Sequence, residues 1–364
     1  MGIVCVELGN RRYDIHVGTD LLDRAGSLVS SVCVGKSAAI ITNPRVGRFY
    51  ADQLRASLSA AGIHAVVITV PAGERYKTLR TVSKIYEALL DNRIDRGGIV
   101  VGLGGGVIGD MAGFAAATYL RGVDFVQMPT SLLAQVDASI GGKTGVNLSR
   151  GKNLVGAFYQ PRVVLIDIST LRTLPAVEFR SGLAEVIKHA IIRDRQYFSL
   201  IEENISKIKR LDSPLLETII TRSCEIKAEV VAQDEREAGL RRILNYGHTI
   251  GHAIEALTQY ARYKHGEAVS IGMVTAALVA EELGSAESGL ADRIASLLRS
   301  AGLPYKLPLY LSEHEIIAAV GLDKKVMHGK LHAVLVDSIG SAYVSENVDK
   351  EIWMTALRRQ RALQ

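Results

Sequence analysis

Cysteine is the first shortage in this chain, and it excludes a disulfide-built fold. Only Cys5, Cys33 and Cys224 occur, far apart and without CxxC spacing, as expected of a reduced, cytoplasmic protein whose cysteines fill apolar space. Aromatic residues are also few, at 5%, and do not interleave with the scattered lysines and arginines, which excludes a nucleic-acid surface. No apolar run qualifies as a membrane span. The least charged stretch, 97–120, carries Asp110 and is broken by glycines, so it reads as strand, loop and buried helix. The opening residues lack a basic segment followed by an apolar one, and no export signal is read there. The net charge of +5 fits either an ordinary solvated surface or an anion-attracting site.

What the chain has in quantity is glycine, 34 of 364 residues, which suits tight turns and close backbone approaches. The length suits two domains, each with its own core. In the first half, β-branched runs (SAAIIT, HAVVITV, GIVVGL, DFVQMP, RVVLID) alternate with helix-like segments. That alternation predicts βαβ units and a mostly parallel sheet, with IVCVEL and YDIHV as a hairpin at its edge. After Asp167 long 3.6-period patterns take over, and HAVLVD with SAYVSENV reads as a late hairpin. The expectation is an α/β nucleotide-binding domain over 1–172, followed by a mainly α-helical metal- and substrate-binding domain over 173–364.

Three constellations carry chemistry. GIVVGLGGGVIGD, 98–110, ends a strand and opens a helix, so its backbone can approach a pyrophosphate at the positive helix end. The same glycines would also serve close packing of helix on strand. PAGERYKTL supplies Glu74 as a ribose-binding carboxylate and Lys77 as a phosphate-reaching cation. PTSLLAQVDASIGGKTGVN and GKNLVGAF then gather Thr130, Ser131, Asp137, Lys143, Lys152 and Asn153. Lysines there are either solvated surface or compact charges facing a phosphate. Finally, SGLAEVIKHA, NYGHTIGHA and KHGE offer Glu185, His189, His248, His252 and His265 as ligands of the types a catalytic zinc uses. Helical spacing puts His248 and His252 on one face, and Glu185, Lys188 and His189 on another, where a salt-bridged surface is the competing reading. Spacing does not choose three ligands from the five. A metal and a nicotinamide in one chain imply oxidation at a carbinol carbon.

Taken in order, PAGERYK, GGGVIGD, MPTSLLAQVDASIGGKTGVN, GKNLVGAFYQP, GLAEVIKH, EIKAEVV, RRILNYGHTIGHA, KHGEAV and DKK resemble the 3-dehydroquinate synthase family of sugar phosphate cyclases over nearly the whole chain. The resemblance implies a carbon–oxygen lyase of the shikimate route, making 3-dehydroquinate and phosphate from 3-deoxy-D-arabino-heptulosonate 7-phosphate. The steps it implies are transient oxidation by NAD, phosphate elimination, re-reduction and intramolecular aldol closure. It implies Glu185, His248 and His265 as ligands of one divalent ion, zinc or cobalt. His252 is thereby left for the phosphate and proton-transfer side. For NAD the similar positions are Glu74, Lys77, Gly105, Gly106, Asp110, Thr130, Ser131, Lys143, Lys152 and the turn Thr170, Leu171, Arg172, Thr173. Asp137 and Lys143 match positions lining nicotinamide and substrate. Lys152, Asn153, Lys188, Asn245 and His252 match positions around the substrate phosphate and reacting carbons. Lys227, Arg241 and one of Lys324 and Lys325 match the carboxylate end, and Arg121 an arginine lent across a homodimer. Position 131 is Ser where the family often has Thr, which keeps the hydroxyl. Six cations stand in these motifs (Arg121, Lys143, Lys152, Lys188, Lys227, Arg241) against few acids, chiefly Asp137, Glu185 and Glu237, a bias suited to a substrate carrying both phosphate and carboxylate. Rival readings are a cyclase of the 2-deoxy-scyllo-inosose or 2-epi-5-epi-valiolone synthase type, a metal-dependent polyol dehydrogenase, and an inactive NAD-binding relative.

Overall fold

The structure, a computed structural model, describes residues 1–322, 326–327 and 330–363. Lys324 and Lys325 lie outside the described residues. The chain forms two compact units, Met1–Leu174 with Ser213–Arg236, and Pro175–Asp212 with Glu237–Gln364.

The first unit is built on a seven-stranded sheet in the order β1-β2-β9-β6-β5-β3-β4. The opening hairpin pairs β1 (Gly2–Val6) antiparallel with β2 (Tyr13–Gly18). The expected parallel strands follow as β3 (Ser37–Thr42), β4 (His64–Thr69), β5 (Ile99–Gly104), β6 (Asp124–Pro129) and β9 (Val163–Asp167). Helices α1 (Leu21–Val32) and α2 (Pro44–Ala60) cover one face, and α3 (Leu79–Asp91) and α4 (Gly106–Thr118) the other. The period of two is visible on β3, where Ala38 and Ile40 join the α1–α2 core while Ala39 and Ile41 join the α3–α4 core. Helix starts are chemically specified. Asn43 accepts from the backbone N–H of Arg45 and Val46, with Pro44 in the first turn. The chain steps from β3 out to β4 and then back to β5 on the other side of β3. This reversal opens the crevice at the strands' carboxyl ends where α/β proteins bind ligands.

Two features of this unit were not anticipated. The lysine- and glycine-rich segments, to which the sequence pattern assigns no strand, form a separate antiparallel pair, β7 (Lys143–Leu148) and β8 (Gly151–Phe158). Helix α7 (Ser213–Gln233) also belongs here, although the expected division placed it with the helical remainder. It packs on β1 and β2 and buries Ile219, Ile220, Ile226 and Val230. Its apolar stripe says that a surface is covered, not which one.

The second unit is mainly helical: α5 (Ala176–Arg193), α6 (Arg195–Lys209), α8 (His248–Leu257), α9 (His265–Glu282), α10 (Leu290–Ala301), α11 (Glu313–Leu322) and α12 (Lys350–Ala362). A short β10 (Val326–Met327) joins the expected late hairpin, β11 (Lys330–Ser338) with β12 (Ser341–Val348). Helix α9 is buried continuously from Ala268 to Ala280 among α5, α8, α10 and α12. A helix apolar all round belongs at the centre of a bundle. Gln360 of α12 is fully buried against it, bonded to Thr275 Oγ1 and to the carbonyls of Ile271 and Tyr305.

Candidate active site and metal centre

In the first unit, the candidate nucleotide-binding residues gather at the carboxyl ends of the parallel strands. Gly104 ends β5, and its carbonyl accepts from Thr130 N–H at 2.9 Å, which joins the glycine loop to the end of β6. Gly105 and Gly106 then open α4. A Cβ on Gly105 would lie 3.3 Å from Ser131 Oγ, and one on Gly106 would lie 3.1 Å from the Ala138 methyl. The loop therefore lies against the segment that carries Ser131 and Asp137. Asp137 sits in one wide turn, Ala134–Ala138, closed by Ser139 N–H to the Ala134 carbonyl at 3.1 Å. Such widened turns occur often at functional positions.

Lys77 is the centre of one charged network. Its buried ammonium donates to Asp110 Oδ2 and to Asn153 Oδ1, each at 2.5 Å. Burial pushes the Asp110 carboxyl up to about 6 against the opposing pull of Lys77. Asn153 has a left-handed backbone, φ 54°, a conformation asparagine tolerates better than most residues. Asn147, which the sequence reading left without a role, bonds Glu74 through its side chain at 2.7 Å. A second pair joins Lys227 to Asp137: the ammonium donates to the Asp137 carbonyl at 2.6 Å and meets its carboxylate.

Other expected residues are more dispersed. Lys143 pairs in register with Phe158 and Gly151 with Leu148, so Lys143 and Lys152 stand towards opposite ends of the β7–β8 hairpin. In the turn after β9, the Thr170 hydroxyl is engaged with Gln135 Nε2 and the Asp167 carbonyl, and Leu171 is buried. Arg172 and Thr173 are exposed, and Thr173 Oγ1 bonds the Tyr50 hydroxyl at 2.6 Å. Arg121 is exposed beside Leu120, both with left-handed backbones (φ 70° and 49°).

In the second unit, glycine contacts bring three helices together. A Cβ on Gly272 of α9 would lie 1.9 Å from the Gly247 carbonyl at the start of α8, and one on Gly266 would lie 2.0 Å from the Ser181 carbonyl of α5. These approaches set Glu185 of α5, His248 of α8 and His265 of α9 around one point. One ligand atom from each lies within 4.8 Å of the others. His248 Nε2 is 3.9 Å and His265 Nε2 3.7 Å from Glu185 Oε1.

The opposite ring nitrogens are held from behind. His248 Nδ1 faces the Tyr246 carbonyl at 3.1 Å, and His265 Nδ1 faces Glu255 Oε2 at 3.3 Å. A proton held at each Nδ1 leaves the Nε2 lone pair for a metal, the arrangement that orients ligating histidines. Burial, then the Lys188 charge, holds His248 well below the usual imidazole range, and so in the neutral form a metal requires. Both Glu185 carboxylate oxygens are buried without a hydrogen bond, while the carboxylate forms an ion pair with Lys188 one turn on. Lys188 offsets that charge through Oε2, and Oε1, which faces both imidazoles, is left for a metal cation. The donor set therefore fits a divalent ion of the zinc type.

His252 shares the α8 face with His248, ring centroids 5.3 Å apart, yet its compact donor group is with Glu255 and His265. Arg241 is buried, Asn245 donates to Glu237 Oε1 at 2.7 Å, and Lys188 and His189 are buried on α5.

Comparison with known proteins agrees along nearly the whole chain. Residues 67–181 match the family description "3-dehydroquinate synthase N-terminal", and 182–326 match "3-dehydroquinate synthase C-terminal". The 3-dehydroquinate synthase of Desulforamulus reducens is 49% identical over 348 residues, covering 96% of this chain and 97% of that protein. That of a Synechococcus species is 50% identical over 357 residues, covering 97% of each. Among solved structures, a 2-epi-5-epi-valiolone synthase from Streptomyces hygroscopicus with NAD+ and Zn2+ bound superposes with a TM-score of 0.88 at 28% identity, covering 98% of each chain. A 2-deoxy-scyllo-inosose synthase complexed with carbaglucose-6-phosphate, NAD+ and Co2+ gives 0.86 at 26%, covering 99% of this chain and 100% of that one. The glycerol dehydrogenase of Schizosaccharomyces pombe, 16% identical with a TM-score of 0.69, shares the fold. By sequence over nearly its full length, and by fold, the chain belongs to the 3-dehydroquinate synthase family.

Proposed function

We propose that this chain is a carbon–oxygen lyase that converts 3-deoxy-D-arabino-heptulosonate 7-phosphate to 3-dehydroquinate and phosphate. The observation that carries the reading is the convergence of Glu185, His248 and His265, with both histidines held through Nδ1. It occurs in a chain about half identical to 3-dehydroquinate synthases. When bound, the ion would supply Lewis acidity towards a substrate hydroxyl, and NAD a hydride acceptor that is restored within the turnover.

The chain's own residues do the remainder. Glu185 Oε1 with His248 Nε2 and His265 Nε2 would hold the ion. Gly105 and Gly106 let the α4 amino end approach a pyrophosphate, and Lys77 and Glu74 take phosphate and ribose. His252, half-buried and beside the centre but outside the Glu185–His248–His265 set, is placed to transfer a proton. Lys152, Asn153, Lys188 and Asn245 serve the substrate phosphate and reacting carbons. Asp137 and Lys143 line nicotinamide and substrate, and Arg241 with Lys227 receives the carboxylate. We extend the reading to a cytoplasmic homodimer in which Arg121 serves the neighbouring copy. Support comes from the dispersed cysteines and the exposed, left-handed Leu120–Arg121 corner. Among the described residues no helix is long and apolar enough to cross a membrane.

The test is phosphate release from the heptulosonate phosphate, sedoheptulose 7-phosphate and glucose 6-phosphate, with NAD and zinc supplied. Release from the first without accumulating reduced nicotinamide is expected. Reduced nicotinamide rising in step with turnover would favour a polyol dehydrogenase, and preference for either of the two sugar phosphates that lack a carboxylate would favour another cyclase.

A further inference from the structure

We propose that Asn147 is a positioning residue for nicotinamide-cofactor binding, the polar pin between the Glu74–Lys77 turn and the β7–β8 hairpin. This rests on the reading of Glu74 and Lys77 as cofactor-binding groups, and it assigns a role to a residue outside that set. Asn147 lies where the hairpin register shifts, between Val146 and Leu148. Its backbone N–H donates to the Lys77 carbonyl at 2.8 Å, and it forms an isolated bridge with Thr78.

The side chain uses both ends of its amide. Oδ1 accepts from Asn153 N–H at 2.8 Å, and Nδ2 donates to Glu74 Oε1 at 2.7 Å. Asn153 in turn presents Oδ1 to the Lys77 ammonium at 2.5 Å, and Asp110 takes a second proton of the same ammonium. The chain of contacts Glu74–Asn147–Asn153–Lys77 thus closes through the backbone bond from Asn147 to Lys77. An ammonium has three donors; two are spent on Asp110 and Asn153, and the third is left for a phosphate oxygen.

Only a carboxamide fits this place. A carboxylate would keep the bond from Asn153 N–H but set a second negative charge against Glu74. An apolar side chain would leave both partners without Asn147. Asn147 holds Glu74 through its side chain and Lys77 through its backbone, so loss of the pin acts on cofactor affinity before it acts on chemistry.

The experiment is calorimetric titration of NAD into the zinc-loaded full-length protein, with melting temperature and zinc content measured alongside. Asn147→Ala is expected to weaken NAD about tenfold, equivalent to ~1.4 kcal/mol. KM for NAD should rise while kcat holds, and zinc content should not change. Asn147→Asp, nearly isosteric and so spared a folding defect, should weaken NAD at least as much. That loss should shrink in a Glu74→Gln background, where the restored donor–acceptor pair runs in the opposite sense. Unchanged NAD affinity in both single variants, or a loss on Asn147→Asp that is the same in either Glu74 background, would overturn the assignment and leave the cofactor reading standing. Failure of the unmodified protein to take up NAD would overturn both.

Discussion

The metal centre is a case where residue chemistry decides between two ligand sets. Helical spacing favours His248 with His252, whereas the compact set that includes His248 is completed by Glu185 and His265. His265→Ala and Glu185→Ala are expected to lose bound zinc, while His252→Ala keeps zinc and loses most turnover. Elemental analysis showing zinc kept in His265→Ala but lost in His252→Ala would reverse the assignment. Arg241 is argued on geometry, since its planar fork can pair bidentately with a carboxylate and a lysine cannot. Arg241→Lys should weaken the heptulosonate by roughly 1.5–3 kcal/mol, read as a rise in KM, and equal damage to glucose 6-phosphate turnover would contradict it. Asp110 gives a pH prediction. Its carboxyl is pushed from 3.8 to about 6 in the fold, chiefly by burial. Below about pH 4 the folded and unfolded chains both hold its proton; between about 4 and 6 only the folded chain does. The wild type should therefore lose stability relative to Asp110→Asn between about pH 4.5 and 7.5, on the order of 2 kcal/mol. Urea unfolding at the two pH values measures it, and a constant difference would show that the carboxyl titrates normally.

At the level of elements, the strands of the main sheet were legible because buried parallel strands need unbroken β-branched runs, and IIT, VVIT, IVV and VVLID supply them. The β7–β8 hairpin was not legible, because its pairing depends on small size rather than on an apolar pattern. A Cβ on Gly156 would lie 2.1 Å from the Thr144 carbonyl, and one on Gly145 would lie 2.5 Å from that of Val155. Glycines in such a segment read as loop. Asn147 was missed for the same reason, since asparagine among glycines signals a turn. The metal ligands show the limit of periodicity: His248 and His265 meet because α8 and α9 pack closely, and no spacing within one helix reports that. The resemblance to a family supplied this third ligand. Gly272→Ala tests the close approach directly. It should cost roughly 1–3 kcal/mol through overpacking and lower zinc affinity by moving His248 away from His265. Unaltered zinc affinity in a folded Gly272→Ala protein would show that α8 has room to yield.

For the whole molecule, the order of the chain matters as much as its architecture. Helix α7 buries Ile219, Ile226 and Val230 in the sheet-bearing unit, yet 38 residues of the helical unit, Pro175–Asp212, come before it. A fragment ending at Leu174 would expose the apolar side of β1 and β2 that α7 covers. It should aggregate on expression, whereas a fragment running to Arg236 should bring the sheet unit's own surface together. Sedimentation of the two fragments distinguishes them, and a soluble, cooperatively melting 1–174 piece would contradict this. During synthesis, then, the nucleotide half cannot close its hydrophobic surface when its last strand leaves the ribosome. It must wait for the 66 further residues from Ile168 to Gln233. That interval is a window in which a half-made protein presents an uncovered apolar sheet face to chaperones and to other nascent chains.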